Sequence, residues 1–441
     1  MNQNYMKEKP VFPLLMSLAV PMMLSMLVNS LYNIVDSIFV AKISEDAMTA
    51  LSLVFPIQNL IAAIAVGFGV GINAVVAMSL GARDNKQANI VATQGLILSI
   101  IHGIFLTAVG ILLMPKFLKI FTNDNYITNA ALEYSTIVLL FSVIINSALT
   151  YEKIFQSVGK MTVTMVSLLS GCITNIILDP IMIFGFGFFP AMGIKGAAWA
   201  TGIGQLVSLL VYLIAYAVSP INVKPSIKYI GLDKKVCCQL YSIGIPATLN
   251  IALPSLLVSA LNGILASFSQ SYVLVLGIYY KLQTFLYLPA NGVIQGMRPL
   301  ISYNFGAGEY QRVDKIYKTA LSVVMTIMLA GTILNFTVPE FLISMFTQNS
   351  STLGAGITAL RIISIGFIAS SFSVVSGGAL EALGRGIHSF IISLLRYIII
   401  IIPAAYTLSR TFGVTGVWNA FWITEFITAF AAYKIYKKYS K

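Results

Sequence analysis

Charge is what this 441-residue sequence has least of: Asp, Glu, Lys and Arg make up 10% of it, against 58% hydrophobic residues. Soluble domains carry roughly 25% charged residues. With a mean hydropathy of +0.87 as well, a water-soluble enzyme is excluded and the chain reads as an all-α integral membrane protein. Cysteine is nearly absent: Cys237 and Cys238 are adjacent and Cys172 sits alone in an apolar run. That excludes a disulfide framework. The two histidines, His102 and His388, lie far from any metal-ligand spacing. Acids are scarcer than bases, 15 against 27 for a net charge of +12, and in a membrane protein such an excess belongs to cytoplasmic loops rather than to a nucleic-acid surface.

What is present is long apolar runs. Lys7 and Lys9 precede one at 11–40, too long for the roughly 7 to 15 residues of a signal-peptide core, so it reads as an uncleaved first span. A bilayer core about 30 Å thick takes roughly 20 apolar residues per helix. That window gives twelve spans, at 14–40, 50–80, 92–114, 127–150, 161–186, 193–218, 236–267, 272–297, 316–338, 355–380, 387–408 and 414–436. The longest hydrophilic connection, 219–235, separates an N-terminal lobe at 1–218 from a C-terminal lobe at 236–441. Nineteen Lys and Arg fall on the side of the two termini and five on the other, while Lys281, Arg361 and Arg396 lie inside spans. The positive-inside rule then places both termini in the cytoplasm.

An internal repeat organises these spans. At an offset of 225, Pro21 falls on Pro246, Gln58 on Gln283, Gly71 on Gly296, Gly81-Ala82 on Gly306-Ala307 and Gly159-Lys160 on Gly384-Arg385; at 220, Gly193-x-x-Gly196 falls on Gly413-x-x-Gly416. Six helices per repeat give both halves the same orientation, a parallel repeat of the kind some secondary transporters use, with substrate bound in a central cavity between the lobes. Repeated channels are usually built from separate subunits.

Acids inside spans are functional candidates by default, because a carboxylate at the bilayer centre costs roughly 2.5 to 3.5 kcal/mol. Asp36 in the first span and Asp179 in the fifth both fall in the outer half on the predicted orientation, as does Thr201 in the sixth. Asn175 precedes Asp179 by four residues and shares its helix face. Two carboxylates, an amide oxygen and a hydroxyl are hard ligands suited to a small cation, and two close carboxylates also suit a proton carrier. Pro180 removes the amide that would bond the Ile176 carbonyl, which offers a further oxygen. The plain alternative is that each acid is an isolated interhelical hydrogen-bonding group.

Pro21, fifteen residues before Asp36, reads as a bend point that either moves during function or is a static packing kink. Met22 beside it offers a soft apolar surface, or simple packing. Gly67, Gly69 and Gly71 form a helix-packing run rather than a phosphate loop, having no strand before them. The second half lacks the acids: at the repeat offset Asp36 meets Leu261 and Asp179 meets Ala404. Its polar residues are Lys281, Gln283, Arg361, Glu381, Arg396 and Glu425. Gln283 and Tyr279 are candidates for the cavity wall, and an Arg396–Glu425 salt bridge is the competing reading for the charges.

The early Pro21 with Asp36, the Asn175, Asp179, Pro180 motif, Gly196-Ala197-Ala198-Trp199-Ala200-Thr201 with Gln205, and the loops Ser79-Leu80-Gly81-Ala82-Arg83 and Tyr303-Asn304-Phe305-Gly306-Ala307 together resemble the multidrug and toxic compound extrusion (MATE) family of antiporters. Within it the chain is similar to the prokaryotic DinF-like and MepA-like branch. The resemblance implies export of organic, cationic or lipophilic compounds in exchange for Na⁺ or H⁺ from the cell (inner) membrane, by a monomer without cofactor. It also implies a Na⁺ or H⁺ site at Asp36, Asn175, Asp179 and Thr201, a bend at Pro21, and Tyr32, Asn33 and Tyr134 at the cavity of the same lobe. The acids that another bacterial branch carries in helices seven and ten are missing from 236–267 and 355–380. A flippase for lipid-linked oligosaccharide shares the two-lobe repeat and is the runner-up; it calls for a cationic cavity. An enzyme is not expected, since no nucleophile and base pair stands out.

Overall fold

The computed structural model describes residues 4–187, 189–219 and 221–440, most of them helical and, among the described residues, with no strand. The helices are α1 (Val11–Ala41), α2 (Glu45–Gly81), α3 (Asn85–Phe121), α4 (the pair Asn125–Leu140 and Ser142–Ser157), α5 (Met161–Phe184), α6 (Ile194–Val218), α7 (Lys234–Ala266), α8 (Gln270–Gly306), α9 (Tyr310–Thr337), α10 (the pair Ser350–Ser364 and Phe367–Ala382), α11 (Gly386–Phe412) and α12 (Val414–Tyr439). Among the described residues, nine are long and apolar enough to cross a membrane alone, and the bent pairs α4 and α10 bring the number to eleven. In α12, Asn419, Glu425 and two tryptophans dilute the hydropathy, yet its 26 residues extend about 39 Å at 1.5 Å per residue and pack along α10 and α11.

The repeat is written into the backbone. Ser44 and Ser269 cap α2 and α8, Asp124 and Asn349 cap α4 and α10, each pair 225 residues apart, and each side chain accepts from a first-turn amide. Arg83 and Gly308 both adopt a left-handed φ, +61° and +75°, and so do Gly159 and Gly384 at +73° and +74°. Arg83 is thus held in a conformation that its glycine counterpart adopts without strain. The bends correspond too: α4 turns by 44° at Phe141 and α10 by 55° at Gly366, again 225 apart. The two packings are mirror choices of size. In the first repeat the Phe141 ring fills the space a side chain at Gly202 would need; in the second, Gly366 makes room against Trp422.

Two packing units form, one from Leu24–Gly244 and the other from Asn4–Met23 with the chain from Ile245 onward. These are offset from the chain halves 1–218 and 236–441, because each boundary falls inside a helix close to a proline, Pro21 in α1 and Pro246 in α7. The reason is close backbone approach. A Cβ at Gly71 would meet the Leu240 carbonyl and one at Gly244 the Phe68 backbone, while Gly292 and Gly296 of α8 admit the backbones of Met23 and Ala19. His102 Nε2 and the Tyr241 hydroxyl, 2.7 Å apart, add a polar tie within the first unit. The connection 219–235 is itself held in that unit. Its amides at Lys224, Ser226 and Asp233 donate to Asn89, Thr93 and Gln94 of α3, and Gln94 returns a bond to the Gly231 carbonyl.

Candidate functional site

The first unit brings four of the expected residues together through the α5–α6 contact. Ser167, Gly171, Asn175 and Asp179 recur every four residues along one face of α5. Gly171 and Gly204 lie against each other's carbonyls, and Gly196 lies against the carbonyl of Met182, so the helices approach closely. Ser167 donates to the Ser208 carbonyl at 2.7 Å and Ser208 to that of Ser167 at 3.1 Å, closing the cytoplasm-predicted end of the seam. About two turns further, the Asn175 amide bridges the two helices. Its Nδ2 donates to Asp179 Oδ2 at 2.9 Å and its carbonyl oxygen accepts from the Thr201 amide at 3.1 Å.

Asp36 of α1 reaches this seam, and its carboxyl and that of Asp179 are hydrogen-bond partners. Such a bond requires one of the two to carry a proton and donate it to the other. Both are buried, Asp36 at 9% and Asp179 at 0% exposure, and the Oδ1 of each has no partner. Tyr32 and Tyr134 border the same carboxyls, and Tyr134, fully buried, is oriented by Gln58 Nε2 donating to its hydroxyl at 3.2 Å. Tyr134 belongs to an apolar cluster with Val40, Val54, Leu118 and Ile183, which keeps bulk solvent from that side. The donor set is therefore all oxygen and buried, and it suits a proton shared between the two carboxyls or a small cation in its place.

Other expected residues lie elsewhere. Asn33 is exposed and turns its amide to the Asn29 carbonyl. Pro21 and Met22 pack with the second unit. Tyr279 and Gln283, also in that unit, line a cavity of about 740 Å³ with Leu282, Leu286, Leu334 and Phe367. Lys281 and Arg361 are exposed, Lys281 over the Phe346 ring.

The second unit pairs its acids with arginines. Arg396 donates through Nε and Nη2 to Glu425 Oε1 at 2.8 and 2.6 Å, and to the hydroxyls of Tyr397 and Tyr287. Arg298 bonds Glu381 at 2.5 Å, and Asn250 and Ser389 both donate to the same carboxylate. Arg298 was expected in a loop; it lies inside α8, which continues to Gly306 because the ion pair shelters the charge. Lys153, expected in the loop after the fourth span, is likewise buried at the end of α4, bonded to Glu152 at 2.8 Å and Gln156 at 3.0 Å. The repeat offset, which sets Asn73 on Arg298 and Gln156 on Glu381, was the signal that marked this level of the helices as polar.

With this geometry in hand, comparison with known proteins is decisive about kinship. The family model described as MatE matches residues 21–181 and again 246–407, once per repeat. The chain belongs to the MatE family. Among MatE-like relatives, the multidrug export protein MepA of Staphylococcus saprophyticus is 26% identical over 429 residues, spanning 97% of this chain and 94% of its own. MepA of Staphylococcus aureus strain N315 is 27% identical over 437 residues with the same coverage. A MOP superfamily transporter from Pyrococcus furiosus shares the fold with a TM-score of 0.91 at 24% identity, over 99% of this chain and 98% of that one. A MATE in the bent conformation aligns at 0.92 and 24% identity over 100% and 99%. The protein is thus a multi-pass membrane protein with the twelve-helix MatE fold.

Proposed function

We propose that this protein is a secondary antiporter that exports organic, lipophilic or cationic compounds in exchange for H⁺ or Na⁺. The observation that carries the coupling is the contact of two buried carboxyls, Asp36 and Asp179. A shared proton is what such a pair holds most simply. Sodium would take that proton's place between the same oxygens, with Asn175 and Thr201 as neighbours. Exchange then needs only that ion and substrate favour different states of the protein; linkage depends on differential binding and not on proximity. On this reading ion entering from outside loads the first unit, the α1 segment after Pro21 bends, and substrate leaves outward. The return step discharges the ion to the cytoplasm. The positive-inside asymmetry supports cytoplasmic termini in the cell (inner) membrane. A monomer with one such site and no cofactor suffices.

The export reading draws on the MepA relatives, which are named as multidrug exporters. A flippase for a phosphate-bearing lipid would favour unpaired cations in its cavity. Here the buried Arg298 and Arg396 are ion-paired, and Lys281 and Arg361 are exposed. The test is uptake of ethidium by inverted vesicles under separately imposed H⁺ and Na⁺ gradients. Uptake driven by one gradient supports antiport and names the ion; flipping of a labelled lipid without ethidium uptake would replace it with the flippase.

A further inference from the structure

The second unit holds a cavity that the coupling reading leaves unused. About 250 Å³ in volume, it lies among α7, α8, α11 and α12, and its wall carries the rings of Tyr280, Tyr287, Tyr397 and Phe421 around the Arg396–Glu425 pair. The pair is lopsided. Both guanidinium bonds to the acid end on Glu425 Oε1, and Oε2 is buried with no partner. A buried carboxylate oxygen is costly to leave unsatisfied, and Oε2 can accept from an N–H or O–H donor. Arg396 does not supply it, because its remaining bonds go to Tyr397 and Tyr287, and Tyr287 is fixed in turn by Ser370 at 2.7 Å. The Tyr280 hydroxyl is also buried without a partner. Gln283 lines this cavity and the 740 Å³ one beside it, whose wall is largely apolar.

We propose that Glu425 and its aromatic cage form a recognition site for the N–H group of an aromatic amine or protonated amine, whose apolar body lies in the adjoining cavity past Gln283. Aromatic rings line this cavity, and such rings attract a cationic or N–H-bearing group, while Oε2 accepts its hydrogen bond. Arg396 cancels the net charge of the acid, so the site selects for a donor and not for positive charge as such. A quaternary or phosphonium ion, which has charge but no N–H, gains the rings and forgoes Oε2. This inference rests on the export reading, and it adds that substrate is held by the second unit while the ion is held by the first.

The experiment measures equilibrium binding of two probes to the purified full-length protein in detergent: ethidium, an aromatic cation with amino groups, and tetraphenylphosphonium, a cation with four rings and no N–H. Glu425→Gln keeps an oxygen for Arg396 and sets an amide donor where Oε2 stood. It is expected to weaken ethidium about tenfold or more, the scale of one hydrogen bond to a charged group, and to leave tetraphenylphosphonium within about threefold. Tyr280→Leu removes a ring whose hydroxyl bonds nothing, so folding is retained, and it is expected to weaken both probes. Equal loss of both probes in Glu425→Gln, or ethidium affinity unchanged in Tyr280→Leu, overturns the site. If ethidium is still pumped into vesicles in that case, export stands and only this site falls; if the wild type neither binds nor moves ethidium, both fall.

Discussion

The two units share a scaffold down to capping residues and left-handed turns, and they differ in what they do with buried acids. In the first, Asp36 and Asp179 face each other, so their contact needs a proton or a cation between them. In the second, Glu381 and Glu425 face Arg298 and Arg396, cations fixed in the chain. Between two acids the repulsion must be relieved by a proton or a cation; an acid beside an arginine has its charge balanced within the chain. The two repeats thus share the frame, and on the proposed reading a gradient acts on the acid pair of the first. The other copy has Leu261 and Ala404 at the matching positions and pairs its acids with arginines elsewhere in the repeat.

The largest effect expected from breaking this contrast is in coupling. Asp36→Asn and Asp179→Asn each remove a partner of the acid pair, and gradient-driven ethidium uptake should fall on the order of 100-fold, toward the upper end of typical coupling free energies. Thermal unfolding of the purified variants should change little, since amides keep the shape and can still hydrogen-bond. The second unit should respond the opposite way. Arg298→Met leaves Glu381 buried with only Asn250 and Ser389, and stability should drop by about 3 to 5 kcal/mol, read as a lowered unfolding midpoint in detergent. The double variant Arg298→Met with Glu381→Leu should recover most of that loss.

Smaller effects test the frame. Gly202→Ala forces a methyl against the Phe141 ring and should destabilise by about 1 to 3 kcal/mol, with partial recovery when Phe141→Leu is added, measured by the same thermal unfolding. The smallest effect on stability is expected at Pro21. Pro21→Ala should leave the unfolding midpoint nearly unchanged while slowing vesicle uptake several-fold, if the α1 segment bends during exchange; unaltered uptake would make the proline a static kink.

Much of this was legible from residue order, for identifiable reasons. Hydropathy marks any helix that must lie in lipid, so eleven spans were plain, and the twelfth survived its diluted composition. The repeat was visible because glycines at turns and prolines in helices are dictated by backbone geometry, as Gly159 and Gly384 show. The acids were conspicuous because charge in an apolar run is rare. What sequence did not disclose was contact. Asp36 and Asp179 are 143 positions apart, and only the glycine-lined α5–α6 seam and the course of α1 bring them together. Asn33, three residues from Asp36, is exposed and turns its amide back to the Asn29 carbonyl instead of joining them. Arg298 and Lys153 were misplaced because a hydropathy window stops at the first charge, whereas a helix continues wherever a partner acid neutralises it.

The central claim is that the ion is held by the carboxyl pair of the first unit and by nothing in the second. Its most direct test is release of H⁺ or Na⁺ by the purified protein upon ethidium addition, compared across wild type, Asp36→Asn, Asp179→Asn and Glu381→Gln. The account predicts ion displacement in wild type and Glu381→Gln and none in either aspartate variant. Displacement that persists in both aspartate variants and vanishes in Glu381→Gln would contradict it.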